Sequence, residues 1–213
     1  MSDLHLEFGG LEVQQGDEDV VVLAGDIHEG TAGVKWAAKN FSCPVIYVPG
    51  NHEYYGGSLV NTLDSMKQEA SAHSNIHVLD REVFTLGNVT FLCATLWTDY
   101  KLNGDPALAR LHAEFTLTDF KAIRTKEYAR LHGEAVLEEH EASVDFLLRE
   151  LTASGGWRNL VVVSHHAPCV LSVPERYKQR HELLSSAYAS NLTYFMYMGV
   201  DVWIHGHTHG VSD

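Results

Sequence analysis

Hydrophobic positions in this chain come in short runs that stop abruptly on polar residues. Asp19-Val-Val-Val-Leu-Ala-Gly-Asp26 and Cys43-Pro-Val-Ile-Tyr-Val-Pro-Gly-Asn51 are β-branched and do not alternate, which predicts strands covered on both faces. Between them, Thr31 to Asn40 has helical length with Val34, Ala37 and Ala38 on one stripe. The unit therefore predicts strand, helix, parallel strand. Asn159-Leu-Val-Val-Val-Ser164 and Asp201-Val-Trp-Ile-His205 repeat the design, each running into histidines.

The intervening chain is patterned differently. Ser58 to Ala72 predicts a helix capped by Ser58, with Leu59, Leu63 and Met66 on one face. Ile76 to Leu79, Glu82 to Leu86 and Asn88 to Leu96 predict strands, the last two joined at Gly87-Asn88. Trp97 to Tyr100 closes a strand, Gly104-Asp105-Pro106 opens a short helix, and Thr118 to Phe120 reads as a loop. A long helix is expected from Tyr128 to Leu151, ended by Gly155-Gly156, then a loop from Pro174 to Gln179 and a helix from Leu183 to Met198. Parallel and antiparallel pairing must therefore mix, in one domain spanning 1–213.

Composition narrows the chemistry. Fifteen Lys and Arg against 28 Asp and Glu give a formal charge of -13, which disfavours a nucleic-acid partner. Any phosphate must be held locally, and bound divalent cations would invert the field to do so. Cys43, Cys93 and Cys169 are isolated in apolar runs and read as reduced core residues. No basic leader opens the chain and no apolar run approaches the ~20 residues of a membrane span, so a soluble, cytoplasmic protein is expected.

Strand ends carry the candidate chemistry. Asp26, Asn51, His165 and the pair His207/His209 each follow an apolar run, where ligands gather in sheets of this kind. Asp3 and His5, two apart near the start, could project to one side and grip an ion, or belong to a solvated terminus. His166 would project away from His165, and His28 and His205 read as packing residues. Tyr54, Trp97, Asp99 and Tyr100 could line a pocket or fill the core, and Arg124, Arg176 and Tyr177 sit in expected loops.

The ordered set Asp3-x-His5, Gly25-Asp26, Gly50-Asn51-His52-Glu53, His165 and Gly206-His207-x-His209 resembles the calcineurin-like metallophosphoesterase family. The resemblance implies a four-layer α/β/β/α sandwich of mixed sheets with two divalent metals, Mn, Fe or Zn. It implies Asp3, His5, Asp26 and His209 as ligands of one ion and Asp26, Asn51, His165 and His207 as ligands of the other, with Asp26 bridging. A bridging hydroxide would attack a small phosphomonoester or phosphodiester, His52 would assist the leaving group, and Glu53 would orient His52. A scaffold that binds without catalysis, a nuclease and a protein phosphatase are the alternatives.

Family members carry a strand before the first motif and others after the last. Here two residues precede Asp3 and four follow His209, so truncation at both ends is expected, with the first core strand and the C-terminal strands missing. That predicts an unpaired sheet edge, a weaker metal at Asp3, His5 and His209, or strand addition by a second copy.

Overall fold

The computed structural model describes residues 1–153, 159–175 and 182–210, and in it the apolar runs form two sheets. The first is parallel, in the order β1 (Val21–Ala24), β2 (Val45–Val48), β3 (Ile76–Val78). The second sets β4 (Glu82–Leu86), β5 (Val89–Ala94), β6 (Leu160–Ser164) and β7 (Val202–Ile204) side by side, with only the β4–β5 pair antiparallel.

Successive residues of each inner strand enter different cores. Val21, Leu23, Val45 and Tyr47 pack beneath α1 (Ala32–Asn40) and α2 (Leu59–Ala70), while Ala24, Ile46 and Val48 face the other sheet. Phe91, Cys93 and Val163 return that contact, and Leu92, Leu160 and Val162 pack beneath Phe146, Leu147 and Leu151 of α5 (Gly133–Ala153). The layers are α/β/β/α. The missing alternation is thus a period of two with both faces dry.

A separate apolar cluster caps one end of the sandwich. Tyr54, Trp97, Tyr100, Phe120, Ile123, Leu131 and Val136 fill it, drawn from loops, α3 (Pro106–Thr116), α4 (Asp119–Ala122) and the start of α5. Pro106 opens α3, and Asp105 caps it by accepting from the amides of Ala107 at 2.9 Å and Leu108 at 3.2 Å.

Three expectations are corrected. Thr118 to Phe120 is not a loop, because Asp119 begins α4. The long helix starts at Gly133 rather than Tyr128: the Leu131 amide donates to Ile123 O and the Arg130 guanidinium to Phe120 O, so tertiary pairing takes backbone that propensity would make helical. His132 Nδ1 accepts from the Ala135 amide in place of a usual cap. The helix expected over Leu183 to Met198 is a single turn, Glu182–Ser185, and a separate 3-10 segment, Thr193–Met198. Between them Ala189 pairs with Ala167 as a bridge beside β6. Gly155-Gly156, Arg176, Tyr177 and Gln179 lie outside the described residues.

The opening residues are tied down. Met1 O accepts from the Ala24 amide at 2.9 Å, and the amides of Asp3 and His5 donate to the carbonyls of Gly25 and Asp26 at 3.0 Å each. A solvated terminus is therefore ruled out, and the β1 edge is paired at Ala24. Among the described residues, no helix is long and apolar enough to cross a membrane.

Candidate metal centre

Strands β1, β2, β6 and β7 deliver Asp26, Asn51, His165 and His207/His209 to one end of the sandwich, and the tethered opening segment adds Asp3 and His5. Asp3, His5, Asp26, His207 and His209 all lie in the left-handed region, at φ of 54°, 44°, 55°, 69° and 48°. Such backbone costs on the order of 1–3 kcal/mol per residue and persists only where its surroundings enforce it. The enforcement is visible: the His207 amide donates to the Asp3 carboxylate at 2.9 Å, and the His52 amide to Asp26 Oδ1 at 2.9 Å. Gly50 is needed for the approach, since a Cβ there would sit 2.6 Å from the Asp26 nitrogen and 2.8 Å from the His165 ring.

The side chains converge on two points. His165 Nδ1 donates to Ala24 O at 2.9 Å, which leaves the lone pair on Nε2. That lone pair faces Asn51 Oδ1 at 3.0 Å, His207 Nδ1 at 3.1 Å and Asp26 Oδ2 at 3.4 Å. On the other side of Asp26, His5 Nε2 lies 3.1 Å from His209 Nε2 and 3.8 Å from Asp26 Oδ2, while His209 Nε2 lies 3.4 Å from Asp3 Oδ1. Electron-pair atoms this close, with few hydrogens to place between them, suit cations. Imidazole, carboxylate and amide oxygen without thiolate fit Mn, Fe or Zn. The second point is more open, since the His209 side chain is 49% exposed and that of His165 is fully buried.

The electrostatics agree. Burial pushes the Asp26 carboxyl up, but the His165, His52 and His207 imidazoles outweigh it and hold the group well below the carboxylate range. Burial opposes a positive charge on His165, yet the Asp26 carboxylate outweighs it and raises the His165 pKa, so the point where these atoms meet favours positive charge. Burial and the His166 and His165 rings keep His207 neutral, as a ligand must be. The His207 Nε2 is buried without a hydrogen-bond partner.

The residue expected to orient His52 does something else. Glu53 is fully buried and accepts from the amides of Asp26 (2.9 Å), Ile27 (2.8 Å) and Gly50 (2.6 Å) and from the Tyr47 hydroxyl (2.7 Å). It staples the loops after β1 and β2 and does not bond the His52 ring. Glu7 does: its Oε1 accepts from His52 Nδ1 at 2.9 Å and from His5 Nδ1 at 3.1 Å. Sequence reading missed Glu7, although it continues the Asp3, His5 alternation while Leu4 and Leu6 pack into the core.

A cleft beside the two points is lined by Asp26, Asn51, His52, Tyr55, Thr118, Asp119, Tyr188, His207 and His209, and no Lys or Arg lines it among the described residues. Asp119, also missed, has its carboxyl raised by burial and hydrogen-bonded to Asn51. His166 is buried against His207 at 4.1 Å between ring centroids, its Nδ1 on Thr95 O. Tyr54, Trp97 and Tyr100 fill the cap cluster, and Arg124 pairs with Ser58 and Arg130 away from the cleft.

Residues 1–211 match the family model described as calcineurin-like phosphoesterase. A curated relative, uncharacterized protein L509 of Acanthamoeba polyphaga mimivirus, is 24% identical over 241 residues, covering 100% of this chain and 84% of that protein. Among solved structures, phosphopantetheinyl hydrolase from Mycobacterium tuberculosis superposes with a TM-score of 0.72 at 19% identity, over 98% of this chain and 81% of that one.

Proposed function

The chain belongs to the calcineurin-like phosphoesterase family, and from that premise we propose that it hydrolyses a small phosphomonoester or phosphodiester with two divalent ions. The observation that carries this reading is the convergence of His165 Nε2, Asn51 Oδ1, His207 Nδ1 and Asp26 Oδ2 on one point, with His5, His209 and Asp3 around a second. Asp26 Oδ2 lies 3.4 Å from His165 Nε2 and 3.8 Å from His5 Nε2, so Asp26 would help to hold both ions. The ions, when bound, polarise the phosphoryl oxygens and lower the pKa of water for in-line attack.

The chain's own groups would do the rest. His52 lies at the cleft with its Nδ1–H on Glu7, so its Nε2 faces the cleft. The ring in its imidazolium form would give the Nε2 proton to the departing oxygen as the P–O bond breaks, leaving the neutral Nδ1–H tautomer. Tyr55 stacks on the His52 ring at 4.2 Å between centroids and limits its rotation. Since the cleft carries carboxylates and, among the described residues, no Lys or Arg, phosphate would be repelled by that lining unless cations were bound.

The test is metal removal and return. Chelator-treated protein should lose hydrolysis of aryl phosphate mono- and diesters and regain it with Mn, Zn or Fe, and His207→Ala should not be restored. Two bound ions with His52 intact and no ester cut would instead mark a binding scaffold.

A further inference from the structure

We propose that Glu7 is a positioning residue that ties the imidazole of His52 to that of the metal-ligand candidate His5 through one carboxylate oxygen. The inference rests on the ligand and leaving-group roles proposed above and adds a residue that they do not include. Glu7 Oε1 accepts from His52 Nδ1 at 2.9 Å and from His5 Nδ1 at 3.1 Å, and the two rings meet edge to face with centroids 4.3 Å apart. The Glu7 side chain is only 9% exposed, so water competes weakly for these bonds.

One acceptor therefore fixes two rings at once. With Nδ1–H committed to Glu7, each ring must present Nε2 elsewhere: His5 toward Asp26 and His209, and His52 toward the cleft. A carboxylate behind a ligating imidazole sets its tautomer and orientation, and losing such a partner typically lowers metal affinity about 10–100-fold. Here the same carboxylate also aligns the ring beside the leaving group. Binding of the ion at Asp3, His5 and His209 and alignment of His52 should rise and fall together.

Three variants separate position from charge. Glu7→Met keeps the stem and removes the acceptor, Glu7→Gln keeps an acceptor oxygen without charge, and His52→Ala removes the ring that is positioned. Two measurements need no turnover. Titration calorimetry with zinc should show Glu7→Met weakening one of two ions about tenfold or more, with Glu7→Gln restoring most of the loss. Imidazole 15N spectra should show His52 as a single Nδ1–H tautomer in the wild type and a tautomer mixture in Glu7→Met.

With turnover, the rate deficit of Glu7→Met should grow from aryl to alkyl esters, and that growth should vanish in the His52→Ala background. Unchanged His52 spectra together with zinc affinity within twofold of wild type would overturn the proposal. So would equal losses in Glu7→Met and Glu7→Gln, or a third equivalent of zinc bound by His5, Glu7 and His52. If wild-type protein cut no ester while the binding and spectral changes appeared, the hydrolase reading would fail and the Glu7 assignment would stand.

Discussion

At the scale of single residues, the proposed centre turns on Asp26. Two imidazole nitrogens lie near Asp26 Oδ2, His165 at 3.4 Å and His5 at 3.8 Å, so Asp26→Ala should weaken both proposed ions, by about 100-fold at the buried point. Calorimetry with zinc would show one surviving tight ion if Asp26 served only one. Glu53 is a different kind of dependence: Glu53→Gln turns an amide toward groups that all donate, and the unfolding free energy should drop by about 3 kcal/mol in urea denaturation. An unchanged midpoint would mean the loops do not need the staple. Asp3 and His5 follow no apolar run, whereas the candidates Asp26, Asn51, His165 and His207/His209 were legible because each follows one. The partner of His52 was not, because adjacency in sequence pointed to Glu53 while the chain brings Glu7 back to it from 45 residues away.

Between elements, the informative contacts are those that hold loops in costly conformations. His140 of α5 reaches Leu96 O at 3.0 Å, where Leu96 and Trp97 adopt φ of 76° and 53°. Burial lowers its pKa below the ordinary 6.5, with Asp99 opposing weakly. The unfolded chain therefore takes up a proton first as pH falls, so stability is full above about pH 6.5 and declines below it. His140→Asn should flatten that decline when urea midpoints at pH 7 and pH 5 are compared; a parallel decline in both proteins would remove His140 as its cause. Asp105→Ala should cost the cap about 1 kcal/mol while leaving zinc affinity unchanged, because α3 packs against α4, α5 and the Glu182–Ser185 turn. β1, β2, β5, β6 and α1 were readable from sequence because the apolar runs of these strands are buried on both faces and α1 packs on β1 and β2. The start of α5 and the break after Ser185 were not, since backbone pairing with Ile123 and Ala167 decides them.

Over the whole molecule, a formal charge of -13 surrounds the cleft where we propose an anionic ester binds. Two divalent ions would offset only part of that field, and its reach shrinks from about 30 Å at 0.01 M salt to about 8 Å at 0.15 M. KM for an anionic ester should therefore fall as salt rises over that range, opposite to the behaviour of a nucleic-acid enzyme. A KM that rises steeply with salt would instead point to a local basic surface beside the cleft.

The cap has one more consequence. Its apolar cluster and the one beneath α1 and α2 share only Leu63 among the described residues, while the ligand candidates come from the opening segment and the loops after β1, β2, β6 and β7. Descendants of such a gene could therefore remodel the roof through Leu117, which packs on the cap and lines the cleft, whereas Asp119 and Tyr188 touch the ligand candidates Asn51 and His207. Preference for one ester over another could thus drift while the proposed reaction is inherited.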